Sequence, residues 1–209
     1  MGPRFTVIAI LTVIVLIAYD KYYPFNESSN NSSNTGQAGV TIKDSKSEGK
    51  ALIGGDFVLV DQNGKEFSSD KLNGKTSLIY FGFTNCPMIC PTALNNMSLV
   101  MNELGEDSVN YTPVFITTDP ERDTAESLKS YMSSFHLSFV GLTGSEEQLK
   151  VAYDDYKVYA KKVELDGEDG YDMNHSSIIY VMNENGEYVS HFNHETAPEK
   201  ILAKLRSLK

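Results

Sequence analysis

The chain changes character three times along its length. Residues 5–19 (FTVIAILTVIVLIAY) are apolar or nearly so throughout, between Arg4 and the pair Asp20-Lys21. Residues 26–50 carry Ser, Asn, Gly and Lys with almost nothing to bury. From about Ala51 the apolar positions return at regular spacings and persist to the end. In that last stretch, DFVLVDQNGKEF (56–67) alternates about Asn63-Gly64, a dipeptide suited to a tight hairpin turn. SLIYFGF (77–83) and TPVFITT (112–118) are short apolar runs, the pattern of strands buried on both faces. A helix is predicted between them from Pro91 to about Leu104, with proline where its missing N–H does no harm. Asp123-Thr-Ala-Glu126 and Ser145-Glu-Glu-Gln148 are capping-box patterns, opening helices predicted to reach about Phe135 and Tyr156. After an acidic loop DGEDG (166–170), SIIYVM (177–182) and EYVSHF (187–192) flank Asn185-Gly186 as a second antiparallel hairpin. Thr196-Ala-Pro-Glu199 is placed to cap a last helix ending near Leu208.

The resulting order is βαβ, an inserted helix, then ββα. That is an α/β, thioredoxin-like fold with an added N-terminal β-hairpin, behind a single transmembrane anchor. The expected organisation is a membrane anchor over 1–23, a flexible linker over 24–50 and one domain over 51–209. About 160 residues suffice for a real core. The linker composition cannot offset its ordering entropy.

At ~1.5 Å per residue, the 5–19 run is slightly short of a hydrocarbon core ~30 Å thick. Tyr22 and Tyr23 can extend it as interfacial anchors. No small-x-small cleavage site follows Leu16, so the segment reads as an uncleaved anchor with Arg4 inside and the domain outside. No Arg-rich, Ser-rich transit peptide precedes it. The expected location is therefore a bacterial inner membrane, crossed once, with the domain in the periplasm and membrane lipid contacted through the anchor. The net charge is -10, from 28 acidic and 18 basic side chains, with no basic stripe; nucleic acid is not an expected partner.

The only two cysteines, Cys86 and Cys90, sit in TNCPMIC (84–90), where a central strand should end and a helix begin. Unpaired N–H groups and the positive helix end stabilise thiolates there, serving a nucleophile or a metal ligand alike. Of four histidines, His136 lies at a helix end among apolar residues, and His191 and His194 belong to a terminal strand and turn. His175 immediately precedes a strand expected to run antiparallel to 77–83. The start of one such strand lies beside the end of the other, so His175 should face the cysteines. Two thiolates and an imidazole form a soft set suited to copper, whereas a structural zinc usually wants a fourth protein ligand. Met88 and Met173 are read as gap-fillers near the site rather than ligands.

FGFTNCPMICP (81–91), DPERDT (119–124), LTGS (142–145) and YDMNHSSIIYVMNENGEYVSHF (171–192) together resemble the Sco/SenC copper proteins of cytochrome c oxidase assembly. The resemblance implies one copper ion held by Cys86, Cys90 and His175. It also implies a role in building the binuclear copper centre of oxidase subunit II, by delivering copper, by reducing that subunit's cysteines, or both. The copper would come from a donor protein or from free periplasmic copper. Members of the family commonly carry Asp directly before the histidine, where this chain has Asn174, and often Asp inside the cysteine pair, where it has Met88. Asn174 is therefore a candidate for tuning the ligands from outside, and Asp119, which ends a strand beside the site, is a second. The simpler account of DPERDT is that Asp123 caps a helix and Arg122 pairs with an acid. The rival class is a thiol–disulfide oxidoreductase using Cys86 and Cys90. Against it, the loop facing the cysteines reads MNHSS, where such reductases carry a cis-proline.

Overall fold

The computed structural model describes residues 53–165 and 170–208. The expected anchor, the linker and most of the acidic loop at 166–170 lie outside the described residues.

Two antiparallel strands, β1 (Val58–Asp61) and β2 (Glu66–Ser68), form the first hairpin, with Gly64 in the left-handed region at φ 74°. Its turn is closed by Asp61 Oδ1, which accepts the amides of Asn63 and Lys65 at 2.8 and 2.9 Å. Next come β3 (Thr76–Gly82), α1 (Ile89–Leu104) and β4 (Tyr111–Thr117), a parallel βαβ unit. Then α2 (Ala125–Met132), β5 (Val140–Thr143) and α3 (Glu146–Tyr156) follow. The chain finishes through a ribbon of β6 (Ala160–Glu164) and β7 (Tyr171–His175), the hairpin β8 (Ile178–Met182) and β9 (Tyr188–Asn193), and α4 (Pro198–Arg206).

Among the described residues seven strands form one sheet in the order β2-β1-β5-β4-β3-β8-β9, and β6 and β7 pair only with each other. The half β4-β3-β8-β9, with β8 antiparallel to β3, is the thioredoxin arrangement expected from the order of elements. Alternation along β3 sends Leu78 and Tyr80 into one core and Ile79 and Phe81 into the other. The first core is closed by α1, α2 and α4 through Leu94, Met97, Leu128, Ile201 and Leu205, and the second by α3 through Leu149, Ala152 and Tyr156. Burial on both faces explains why β3 reads as an unbroken apolar run.

Several boundaries differ from the sequence expectation. Strand β5 was not predicted, because its four residues contain a glycine. Gly141 is required there, since a Cβ at that position would stand 2.8 Å from Met132 Cγ of α2. The ribbon β6–β7 was not predicted either; β6 is exposed beyond Ala160, β7 alternates between half-buried and exposed positions, and neither carries a strong apolar face. Helix α1 starts at Ile89, which puts Pro91 inside the first turn rather than at its first position. Helix α2 stops at Met132 and is capped by Thr124, whose side chain accepts the Ser127 amide at 3.2 Å, and not by Asp123. The N-cap of α4 is Ala197, without a side-chain bond; the Thr196 hydroxyl turns instead to Asn193 Oδ1 at 2.9 Å. The capping box of Ser145 and Gln148 on α3 forms in both directions.

Candidate metal centre

Strand β3 delivers the chain to the C-terminal edge of the sheet, and the loop 83–88 turns it into α1. Cys86 lies in that loop and Cys90 in the first turn of the helix; both are free thiols and buried. No side chain of the usual capping types closes the start of α1. The sulfur of Cys86 meets that need in part, accepting the Cys90 amide at 3.4 Å. Cys90 Sγ is wholly buried and also receives the Tyr80 hydroxyl at 3.8 Å. A Cβ at residue 82 would stand 2.8 Å from that sulfur and 2.9 Å from the Tyr80 ring, so only glycine leaves Cys90 its place.

The two thiols are electrostatically unequal. Cys86 is held well below the usual thiol range, first because the Cys90 thiol donates to it, with the amides of Cys90 and Met88 adding to the effect against burial. Cys90 is pushed up, chiefly because its proton is shared with Cys86 and secondly by burial. The pair therefore ionises at Cys86 first and retains one proton between the sulfurs, which a metal cation or oxidation to a disulfide would displace.

Tyr80 of β3 pairs with Ile179 of β8, so the residues just before β8 lie beyond the end of β3, beside the cysteine loop. His175 arrives there as the last residue of β7. Its Nε2 is 3.5 Å from Cys90 Sγ and its Nδ1 is 3.0 Å from Ser176 O. A carbonyl oxygen only accepts, so Nδ1 carries the hydrogen and Nε2 turns a lone pair toward the thiols. The ring stands edge-on to Phe83 and Tyr80, at centroid distances of 5.6 and 6.2 Å. Donors at about 2.0 and 2.3 Å from one ion lie about 3.5–3.7 Å apart, so this separation suits a shared soft metal. Among the described residues no three His, Cys, Asp or Glu side chains form a finished cage. The donors meet pairwise, and a metal would have to draw them the last distance together.

The other predicted residues divide clearly. Asp119 is 2% exposed and is bound by Arg122 Nε and by the Tyr171 hydroxyl, the latter at 2.8 Å. The expected pairing of Arg122 with an acid is thus present. Asn174 lies on the exposed face of β7, on the opposite side of the strand from the half-buried His175, and the ring's Nδ1 meets Ser176 O instead. Met88 is 70% exposed, whereas Met173 packs against the core that holds both cysteines. His136 bonds Ser138 Oγ at 2.7 Å, His191 bonds Tyr188 Oη at 2.5 Å, and His194 lies 3.8 Å from Glu195; none of the three joins the cysteines.

Asp123 corrects the sequence expectation most sharply. It is fully buried, and its carboxylate accepts Thr84 Oγ1 at 2.5 Å, Thr84 N at 3.0 Å and Thr117 Oγ1 at 2.6 Å. It braces the cysteine loop and caps no helix. Tyr171 and Thr84 carried no signal in the sequence, because their partners are 52 and 39 residues away.

Fold and site together define a thioredoxin-fold protein with two buried thiols and one imidazole converging at the edge of its sheet. The chain belongs to the SCO1/SenC family, whose model matches residues 45–209. A SCO2-like protein of Rickettsia conorii is 48% identical over 161 residues, covering 77% of this chain and 78% of that protein. The structure of Bradyrhizobium japonicum ScoI with copper bound shares 43% identity at a TM-score of 0.69, over 74% of this chain and 98% of that one. Yeast Sco1 with copper bound shares 38% identity at a TM-score of 0.65, over 74% of this chain and 89% of that one. Homologous Sco structures therefore bind copper.

Proposed function

We propose that this protein is a copper metallochaperone, holding one copper ion through Cys86, Cys90 and His175 and assisting assembly of the binuclear copper centre of cytochrome c oxidase. The observation that carries the reading is the approach of His175 Nε2 to within 3.5 Å of Cys90 Sγ while Nδ1 is turned to Ser176 O at 3.0 Å. The copper-bound relatives support it. Oxidase subunit II is the recipient, and a donor protein or free periplasmic copper the source. A reductase role toward the cysteines of that subunit has its own support in the unequal thiols, since an acidic Cys86 beside a proton-bearing Cys90 is the pairing a dithiol reductant uses.

The expected result for a fragment spanning residues 45–209, reduced and kept from air, is uptake of one Cu(I) per chain. Blocking the thiols with iodoacetamide should abolish it. A stoichiometry of zero, or one that survives alkylation, would overturn the reading.

The anchor and linker belong to the same proposal. An uncleaved segment over residues 1–23 keeps the domain at the periplasmic face of a bacterial inner membrane, where an oxidase subunit is assembled. Cell fractionation and sequencing of the mature amino terminus should find the protein in the membrane with Arg4 retained. A soluble periplasmic form beginning near residue 20 would rule this out.

A further inference from the structure

The stretch DPERDT supplies no donor atom to the site, yet its side chains reach both halves of it. At one end Asp123 holds Thr84, two residues before Cys86, through the amide and the hydroxyl at 3.0 and 2.5 Å. At the other end Asp119 holds the Tyr171 hydroxyl at 2.8 Å and the Arg122 Nε, while Arg122 Nη1 donates to Tyr171 O at 3.0 Å. The Arg122 guanidinium lies 3.9 Å from the centre of the Tyr171 ring. Lys162 Nζ lies 3.8 Å from the same centre and pairs with Glu121 at 2.9 Å. Tyr171 opens β7 and His175 ends it. The two arms are joined by a tight turn in which Asp119 O accepts the amides of Arg122 and Asp123 at 3.3 and 2.9 Å.

The need for such a brace follows from the ribbon itself. Strands β6 and β7 pair with each other and with no strand of the seven-stranded sheet. A two-stranded ribbon is marginal on its own in water. Ser176 N to Tyr159 O at 2.9 Å and Tyr159 N to Ser176 Oγ at 3.1 Å only prolong that pairing. Toward the body of the domain β7 also offers the packing of Met173 and the contacts of the His175 ring with Cys90, Phe83 and Tyr80. Hydrogen bonds between a buried carboxylate, a guanidinium and a phenol are stronger than these neutral contacts.

We infer that residues 119–123 form a two-armed brace that sets the imidazole of His175 against Cys86 and Cys90. The Tyr171 arm holds the histidine strand, and the Thr84 arm holds the cysteine loop. The inference rests on the reading of these three residues as one donor set. Asp119, Arg122, Tyr171 and Asp123 are positioning residues. Loosening the Tyr171 arm frees the histidine strand while the Thr84 arm still holds the cysteine loop. Affinity for a metal that needs the imidazole should fall, while dithiol chemistry persists.

The test uses Tyr171→Phe, which deletes the hydroxyl but keeps the ring, and Arg122→Lys, which keeps the charge but loses the fork. In the reduced, metal-free full-length protein in detergent, hydrogen exchange is read at residues 172–175 and, as a control, along β3 and β8. Cu(II) affinity and the dithiol–disulfide midpoint potential are measured on the same proteins. Exchange at 172–175 should quicken by about 10-fold or more with β3 and β8 unchanged. Cu(II) affinity should fall by about 10–100-fold, and the potential should stay at the wild-type value. Wild-type exchange at 172–175 in both variants would overturn the inference, as would faster exchange with unaltered Cu(II) affinity. A potential that moves with the affinity would also overturn it, since the whole face would then have loosened. Should the wild-type protein take up no copper, the proposed function fails by itself. The exchange comparison and the His175 ring resonances of the metal-free protein then decide whether the brace positions that strand.

Discussion

His175→Ala is expected to keep a Cys86/Cys90 pair that forms and breaks a disulfide, while Cu(II) affinity falls beyond the about 10–100-fold that follows loss of an outer partner. The asymmetry is chemical. An imidazole tunes a neighbouring thiol but carries no electrons, so a dithiol reductant survives its loss. Two thiolates alone leave Cu(II) open to reduction, two Cu(II) ions becoming Cu(I) for each disulfide that forms. The ring also contributes a nitrogen donor that needs no deprotonation, with Nδ1 committed to Ser176 O at 3.0 Å. Cys86→Ser and Cys90→Ser should lose both functions. The measurement is Cu(II) titration beside thiol redox titration of the purified variants. Oxidase copper content is then followed in cells carrying each variant as their only copy, at low growth copper. Full assembly of the oxidase copper centre by His175→Ala, with failure of both cysteine variants, would move the assignment to the reductase.

Asp123→Ala is expected to destabilise the domain by about 3–5 kcal/mol, because three donors lose a buried acceptor together. Those donors are Thr84 N, Thr84 Oγ1 and Thr117 Oγ1, so the damage falls on the loop that carries Cys86. Asp123→Asn keeps the shape and should lose less. The pair of wild type and Asn also isolates a pH effect. Burial raises the Asp123 pKa above the ordinary carboxyl range, against the lowering effect of the threonine hydrogen bonds. The folded state therefore binds this proton more tightly than the unfolded chain. Its contribution to stability is complete below the unfolded value near ~3.9 and is lost as pH rises through the folded value. Denaturant unfolding across that window should show wild type gaining on Asp123→Asn as the solution is acidified. A gap that widens in the opposite sense would contradict the assignment of Asp123 as a buried carboxyl with a raised pKa.

Much of the architecture was legible because it depends on local pattern. Leu78 to Phe81 could only be a strand buried on both sides, and Asn63-Gly64 and Asn185-Gly186 could only be turns, so β3, β4, β8 and the two outer hairpins follow from period and turn chemistry. The meeting of His175 with the cysteines was also legible, because antiparallel pairing of two recognisable strands dictates which ends are neighbours. Tertiary structure decided the rest. Asp123 and Thr124 are both capping residue types, and only the distance to Thr84 and Thr117 selects which one caps α2 and which is buried. The ribbon β6–β7 has no apolar face to betray it, since Tyr171 and its neighbours are held by charge and by ring contacts to residues far away in the chain. From the sequence come strands β3, β4, β8 and β9, the first hairpin and the helices between them, and the convergence of His175 on the cysteines, because burial periodicity and turn chemistry are local. The place of β5 between β1 and β4 is not, because it rests on pairing between distant segments. The tautomer of His175, the shared proton of the thiols and the brace from Asp119 to Asp123 came only from the folded chain, because each depends on distances between residues that sequence order keeps apart.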